Sequence, residues 1–401
     1  MADPAYSYSQ LLQIEACTNC RLCAENCPAV LASGQGNLSG VYRLNELRRV
    51  LGKKYSPLVR LFGRRENLSE RLTEFSQTVF RCTLCGNCQE VCPMGLELRD
   101  LWLSVRHDLA SGKGTYPEMN NRILENLLQS RNVFDEDMEE RAEWVEDLDE
   151  PPDHGFIKEK AEVVYFPGCV SSYFPLAQRI PIHLTKIFEQ VKLDFTLLGE
   201  EEWCCGFPLF GAGFKGSVQD FIRHNVEAVR GKGASKVVFS CPSCYQTWRK
   251  HYPPEFELIH STQFLSGLAR NGRLPFKETP MTVTYHDPCD LGRGTREFEA
   301  PRDVIRSIPG LRLVELPESR ENCRCCGGGG NLEMIAPELA VEISKRKMEE
   351  VLKTGAQAVV TACQQCVRTM TTYVRRNQVP IEVLDISELV WRACEFITKE
   401  K

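Results

Sequence analysis

No stretch of this 401-residue chain approaches the about 18 consecutive apolar residues of a membrane-spanning helix; its apolar runs, such as VVYF at 163–166, have the length of buried strands. A direct membrane span is therefore not expected, and any membrane contact has to come through a partner. Positive charge is not in excess either. The 49 Lys and Arg against 54 Asp and Glu leave a formal net charge of -5, without the basic field that holds nucleic-acid phosphates, so no nucleic-acid partner is expected. The opening MADPAYSYSQ has no basic start, apolar stretch or small-residue cleavage site, and the expected location is the reducing cytoplasm. A dinucleotide fingerprint is missing too: GAGFKG at 211 has the glycine spacing but no strand before it, and GGGGN follows a cysteine. Flavin or pyridine nucleotide is expected on a partner instead.

Cysteine, by contrast, is abundant, with 20 residues. Disulfide frameworks belong to small secreted domains, so spacing has to decide what these thiols do. Cys17, Cys20, Cys23 and Cys27-Pro28 form a CxxCxxCxxxCP run, and Cys82, Cys85, Cys88 and Cys92-Pro93 form a second. This is the two-cluster ferredoxin pattern, in which three close cysteines bind one 4Fe-4S cubane and the fourth serves the other. The reading assigns Cys17, Cys20, Cys23 and Cys92 to one cubane and Cys82, Cys85, Cys88 and Cys27 to the second. Structural zinc uses paired CxxC ligands rather than a four-cysteine run given twice. Two cubanes in one module make an electron wire.

The predicted organisation is a mostly helical ferredoxin-like module over 1–115 and a helix with an acidic linker over 116–160. Two tandem α/β domains follow, over 161–278 and 279–401. The fold class is thus α+β and α/β together. The evidence for duplication is internal. Cys169, Cys204-Cys205 and Cys241-x2-Cys244 recur as Cys289, Cys325-Cys326 and Cys363-x2-Cys366, at offsets of 120, 121 and 122. Strand-like runs precede each copy (VVYFPGC, VTYHDPC) and each CxxC (KVVFSC, AVVTAC), alternating with amphipathic helix candidates, which predicts parallel sheets.

Adjacent cysteines fit a single tetrahedral zinc poorly, and each repeat offers five thiols in all. Gly206 and the Gly327–Gly330 run after the doublets allow positive φ and close backbone approach beside a bulky group, or simply form turns.

These repeats, with FPGC, HDPC and CCG in place, resemble the cysteine-rich (CCG) domains of the heterodisulfide reductase family. The whole chain resembles that enzyme's ferredoxin-like and cysteine-rich subunits in fused form. Subunits of anaerobic glycerol-3-phosphate dehydrogenase, glycolate oxidase and lactate-oxidising complexes are built similarly. The resemblance implies a noncubane 4Fe-4S cluster on Cys169, Cys204, Cys205, Cys241 and Cys244, and another on Cys289, Cys325, Cys326, Cys363 and Cys366. The alternative is one noncubane cluster with zinc in the first repeat. Four cluster motifs with no nucleotide fold read as an electron-transfer subunit of a larger complex, and oxygen-sensitive clusters in this number suggest an anaerobe; the resemblance implies as partner a flavoprotein of the heterodisulfide reductase type or a flavin dehydrogenase. A catalytic disulfide reductase is the competing reading, and a zinc or scaffold protein a third. Family members that cleave the disulfide commonly place a histidine straight after the HDPC cysteine. This chain has Asp290 there, so Cys289, Asp290 and His286 are the candidate catalytic residues if a disulfide is cleaved, His286 having a structural reading as well.

Some features stay open. Cys323 is a bystander or an alternate ligand, and Cys394 reads as a core thiol. The acidic run 135–153 reads as a solvated helix face or a docking surface. Arg48, Arg49, Lys53, Lys54, Arg60, Arg64 and Arg65 read as a solvated face or as a seat for an acidic partner.

Overall fold

A computed structural model describes residues 6–55, 68–111 and 116–396. The chain forms two compact units. The first comprises 1–125 with 208–218 and 324–346, and the second 126–207, 219–323 and 347–401.

The first unit is helical. In Leu98–Ser111 the apolar residues Leu98, Leu101, Trp102, Val105 and Leu109 recur at three and four, and all are buried. They pack with Phe75, Val79 and Phe80 of Leu68–Phe80 and Leu44 and Leu47 of Gly40–Tyr55. The helix Tyr8–Ala16 starts in a capping box between Ser7 and Gln10. Helix ends deliver the cysteines. Ala16 leads into Cys17, Phe80 leads toward Cys82, and Pro28 opens the helix Pro28–Ser33 directly after Cys27.

The segments 208–218 and 324–346 enter this unit by close backbone approach. A Cβ on Gly330 (φ +65°) would meet the Cys82 carbonyl at 2.5 Å, and one on Gly329 the Thr83 carbonyl at 2.7 Å. Gly213 (φ +93°) lies equally tight against the Arg106 carbonyl. Gly213 of GAGFKG and Gly329 and Gly330 of the later run therefore serve packing against the ferredoxin-like module.

The second unit holds two four-stranded, all-parallel sheets of identical topology, in the orders β2-β1-β3-β4 and β6-β5-β7-β8. The strands are β1 Val163–Phe166, β2 Phe195–Thr196, β3 Lys236–Phe239, β4 Glu257–His260, β5 Met281–Tyr285, β6 Leu311–Leu313, β7 Ala358–Thr361 and β8 Glu382–Asp385. The central strands VVYF and AVVT are buried throughout, as covered parallel strands require. The duplication and the parallel α/β halves read from the cysteine spacing are thus present in the fold. Helices from the two repeats share a core of Ala177, Ile180 and Val367.

One expectation needs correction. The acidic run is not a wholly solvated α-helix: Glu139–Asp147 is a 3-10 helix that buries Arg141, Trp144 and Val145. A buried tryptophan and arginine outweigh the acidic residues around them in fixing its path.

Candidate metal centres

Both ferredoxin-type loops wind alike. Asn19 and Arg21 in the first and Leu84 and Gly86 in the second all take positive φ at equivalent places between the cysteines. Such alternation turns successive N–H groups toward one concavity, an anion-holding nest of the kind that surrounds Fe–S groups. Cys17, Cys20, Cys23 and Cys92 line one cavity together with Val41, Leu44 and Met94. Cys27, Cys82, Cys85 and Cys88 line a second with Arg43, Arg99 and Trp102. Each set therefore joins three cysteines of one run to the fourth of the other. Four thiolates on one zinc, with bonds of about 2.3 Å, would stand about 3.8 Å apart. Among the described residues, neither set brings three sulfurs within 4.8 Å of one another, a spacing that suits a multi-atom cluster. Burial pushes the Cys27 thiol up to about 11 and the Cys88 thiol well up, so a bound cation would favour the thiolate of each.

In the second unit the cysteines stand just past the carboxyl ends of central strands, where the strand order reverses and doubly wound sheets hold ligands. Cys169 follows β1 and Cys241 follows β3; Cys289 follows β5 and Cys363 follows β7. Cys241 and Cys363 each N-cap a helix, their sulfurs accepting from the backbone N–H of Cys244 and Cys366 at 3.5 and 3.4 Å. The five sulfurs of the first repeat form one chain of thiol contacts, Cys169 to Cys204 to Cys205 to Cys244 to Cys241. Hydrogen bonds from Cys204 and Cys244 bring Cys205 down to about 6, while Cys169, Cys204 and Cys244 are pushed well up. No three of these five sulfurs lie mutually within 4.8 Å, so the set also fails the tight geometry of a lone zinc.

Residues with no sequence motif complete this site. Arg141 and Glu202, both buried, form an ion pair at 2.5 Å; the guanidinium lies 3.7 and 3.8 Å from the Cys169 sulfur, and the Gly168 N–H donates to Glu202 at 2.9 Å. Burial raises the Glu202 carboxyl despite Arg141 beside it, and it opposes the charge of Arg141, which Glu202 and Cys169 more than restore. Asn225 donates to the carbonyls of Trp203 and Cys204, and the Tyr252 hydroxyl to that of Cys205, clamping the doublet from behind.

In the second repeat Cys289, Cys363 and Cys366 belong to the second unit and Cys325 and Cys326 to the first. The Asp290 carboxylate accepts from Ser243 of the other repeat at 2.5 Å, and the Cys289 thiol faces it at 3.8 Å. His286 stands between two thiols of the second unit: its Nδ1 lies 3.5 Å from the Cys323 sulfur, a ring nitrogen lies within 4.8 Å of the Cys366 sulfur, and its carbonyl accepts from Thr361. Cys323 is fully buried, with the Lys347 ammonium at 3.8 Å; burial would raise its thiol, but Lys347 and His286 bring it below its ordinary value. Cys394 is a buried thiol raised to about 12 by burial. Gln364, between the cysteines of the second CxxC, donates to the Pro167 carbonyl and to Ser240 in the first repeat. Arg48 is committed internally, to the carbonyls of Ile14, Glu15 and Cys17, and Arg49 pairs with Glu46. The side chains of Lys53 and Lys54, and Arg60, Arg64 and Arg65 altogether, lie outside the described residues.

This fold and these cysteine sets define an iron-sulfur electron-transfer protein, a dicluster module joined to tandem cysteine-rich domains. A 4Fe-4S dicluster domain model matches residues 13–96, and a cysteine-rich domain model matches 163–249 and 283–371. The chain is 35% identical over 396 residues to the D-type subunit of the dihydromethanophenazine:CoB--CoM heterodisulfide reductase of Methanosarcina acetivorans, covering 96% of this chain and 95% of that one. It belongs to the heterodisulfide reductase family. More distant relatives are the "Probable iron-sulfur-binding oxidoreductase FadF" of Bacillus subtilis, at 27% identity over 96% of this chain and 60% of that protein, and the "EtfAB:quinone oxidoreductase" of Syntrophomonas wolfei, at 25% over 97% and 59%. A crystal structure of a hypothetical protein from Helicobacter pylori shares the fold, with a TM-score of 0.60 at 10% identity over 99% of this chain and 74% of that one. Among the described residues no helix is long and apolar enough to cross a membrane.

Proposed function

We propose that this chain is the electron-transfer subunit of a larger cytoplasmic redox complex, with cubanes on the two four-cysteine sets and noncubane 4Fe-4S clusters on the two five-cysteine sets. The observation that carries the reading is the exchange of the fourth cysteine: Cys92 lines the cavity of the first run and Cys27 that of the second. When bound, the clusters supply one-electron chemistry. The protein supplies fixed thiol positions, N–H nests, and a dry surround built from Trp102, Leu44 and their neighbours. Cys20 and Met94 are exposed, which supports electron exchange with a partner at the first set. The flavin that such a complex needs is carried by that partner, a flavoprotein of the heterodisulfide reductase type or a flavin dehydrogenase. Five thiols joined in one chain of contacts, Cys169 to Cys204 to Cys205 to Cys244 to Cys241, exceed what one tetrahedral zinc takes, which supports a cluster there over zinc.

Protein purified without air should carry iron at about 16 atoms per chain with matching acid-labile sulfide. Reduction of a substrate by NADH and this chain alone would overturn the subunit reading.

A second reading is favoured by one contact, that of the Cys289 thiol with the buried Asp290. Hydrogen-bonded by Ser243, Asp290 is placed to exchange a proton with a thiol product, which would make the second repeat a disulfide-cleaving site. Reduced viologen with the coenzyme M–coenzyme B heterodisulfide tests it. Release of free thiol supports catalysis, and none excludes it for that substrate.

A further inference from the structure

The two four-cysteine sets of the first unit differ in their electrostatic surroundings. Around Cys17, Cys20, Cys23 and Cys92 the nearby cations are compensated or wet: Arg48 faces Glu15 at 3.8 Å, Arg21 is exposed, and so is Cys20. The Cys27, Cys82, Cys85 and Cys88 set lies among arginines that the fold has taken out of water. Arg43, 2% exposed, donates from Nε and Nη2 to the Thr78 carbonyl alone, at 3.0 and 2.6 Å. Arg106, 0% exposed, donates to the carbonyls of Val79, Phe80, Cys82, Gly211 and Gly330, the Cys82 bond being 2.6 Å. Among the described residues, neither guanidinium has a carboxylate within 4.0 Å.

A buried guanidinium without an anion is costly, and chains seldom retain two of them beside one site. Burial lowers the Arg106 guanidinium to about 10 even with Cys82 at hand. A core held by four thiolates is a net anion whose charge grows by one on reduction, so it answers both cations, and they in turn favour its reduced form. Burial acts the other way, penalising the more charged state. Arg43 lines the cavity of these four cysteines and Arg106 holds the Cys82 carbonyl, so both cations act on the set through that same low dielectric and oppose the penalty.

We infer that Arg43 and Arg106 are fixed counter-charges that set the Cys27, Cys82, Cys85 and Cys88 cluster above the Cys17, Cys20, Cys23 and Cys92 cluster in reduction potential. Electrons arriving at the exposed cluster then fall to the buried one. There the Cys82 carbonyl shares Arg106 with Gly330, four residues beyond the Cys325–Cys326 doublet, and with Gly211, beyond Cys204–Cys205. The two arginines are positioning residues for charge, and the inference rests on the ligation proposed above.

The test is a potentiometric titration of the anaerobically purified full chain, read by low-temperature paramagnetic resonance. Arg43→Gln and Arg106→Gln are compared with Arg43→Lys and Arg106→Lys, and a Cys20→Ser chain identifies the signal of the exposed cluster. In the wild type the buried cluster is expected to reduce first. At its midpoint, each Gln variant should show a reduced-to-oxidised ratio for that cluster about tenfold lower, about 59 mV for a one-electron couple, with the exposed cluster unmoved. The Lys variants should stay within about threefold, since charge and not fork geometry is what counts. Should Arg106→Gln not accumulate folded, Arg43→Gln decides by itself, because Arg43 holds a single carbonyl. Unchanged ratios in Gln variants that keep both signals would overturn the inference, as would equal shifts of both clusters. Wild-type protein with no cubane signal would instead defeat the ligation and carry the inference with it.

Discussion

Replacing Arg141 by Met removes one half of an ion pair that has no water to fall back on. Both side chains are buried, at 1% and 2% exposure, and the Glu202 carboxylate would keep only the Gly168 N–H as a partner. Breaking such a pair from one side costs about 3–5 kcal/mol, which for a unit of this size lowers the thermal midpoint by about 6–20 °C. The sign of the pH dependence follows from Glu202. Burial already holds its folded-state pKa above the ordinary carboxyl value, and without Arg141 it rises further. A carboxyl raised in the folded state favours folding in acid and loses that contribution as pH climbs, so the deficit should grow as pH rises and shrink as it falls toward the ordinary carboxyl range. Arg141→Met with Glu202→Gln removes the stranded charge and keeps an acceptor for Gly168, so most of the loss should return. Calorimetry of the anaerobic holoprotein reads all three. A double variant as unstable as the single one, or a deficit flat with pH, would refute the argument that the uncompensated carboxylate is the cause.

Asp385 caps the helix Ile386–Ala393 through Ser387 and is raised to about 7 by burial. Its contribution should be full below about pH 4 and decline toward pH 7, and Asp385→Asn should flatten that part of the stability profile in thermal melts. Gly330→Ala puts a Cβ against the Cys82 carbonyl at positive φ and should weaken the Cys27, Cys82, Cys85 and Cys88 cluster first, with visible loss of its resonance signal. Gly95→Ala, also at positive φ but with nothing within 4 Å, should cost only about 1–2 kcal/mol and leave both signals intact. Cys394→Ser should leave iron content unchanged, whereas Cys205→Ser should lower it by about one cluster's four atoms, both read by metal analysis.

Much of this architecture was legible because cysteine spacing and buried strands leave strong local marks. VVYF is apolar throughout and KVVF and AVVT are apolar but for Lys236 and Thr361, and each is followed within three residues by a cysteine, so both the strand and its cysteine end could be read. The edge strands β2 and β6 could not: two and three residues long, they exist through pairing with β1 and β5 and carry no periodicity. Arg141 was hidden because an arginine in an acidic run reads as solvated. Its sign was the neighbouring Trp144, which has no business on a wet surface. Arg106 carried a clearer mark, standing at i+4 from Trp102 and beside Val105 on an otherwise apolar stripe. The Asn225 and Tyr252 clamps act through main-chain carbonyls, for which no residue pattern exists.

The first unit borrows 324–346 from late in the chain, so its packing has a timetable. A ribosome has to deliver Gly330 before Arg106 can collect its last acceptor and before the Cys82 loop gains its floor. The module is therefore completed only by residues made more than 200 positions after Arg106. Until then the Cys82 loop lacks the packing that Gly329 and Gly330 give it.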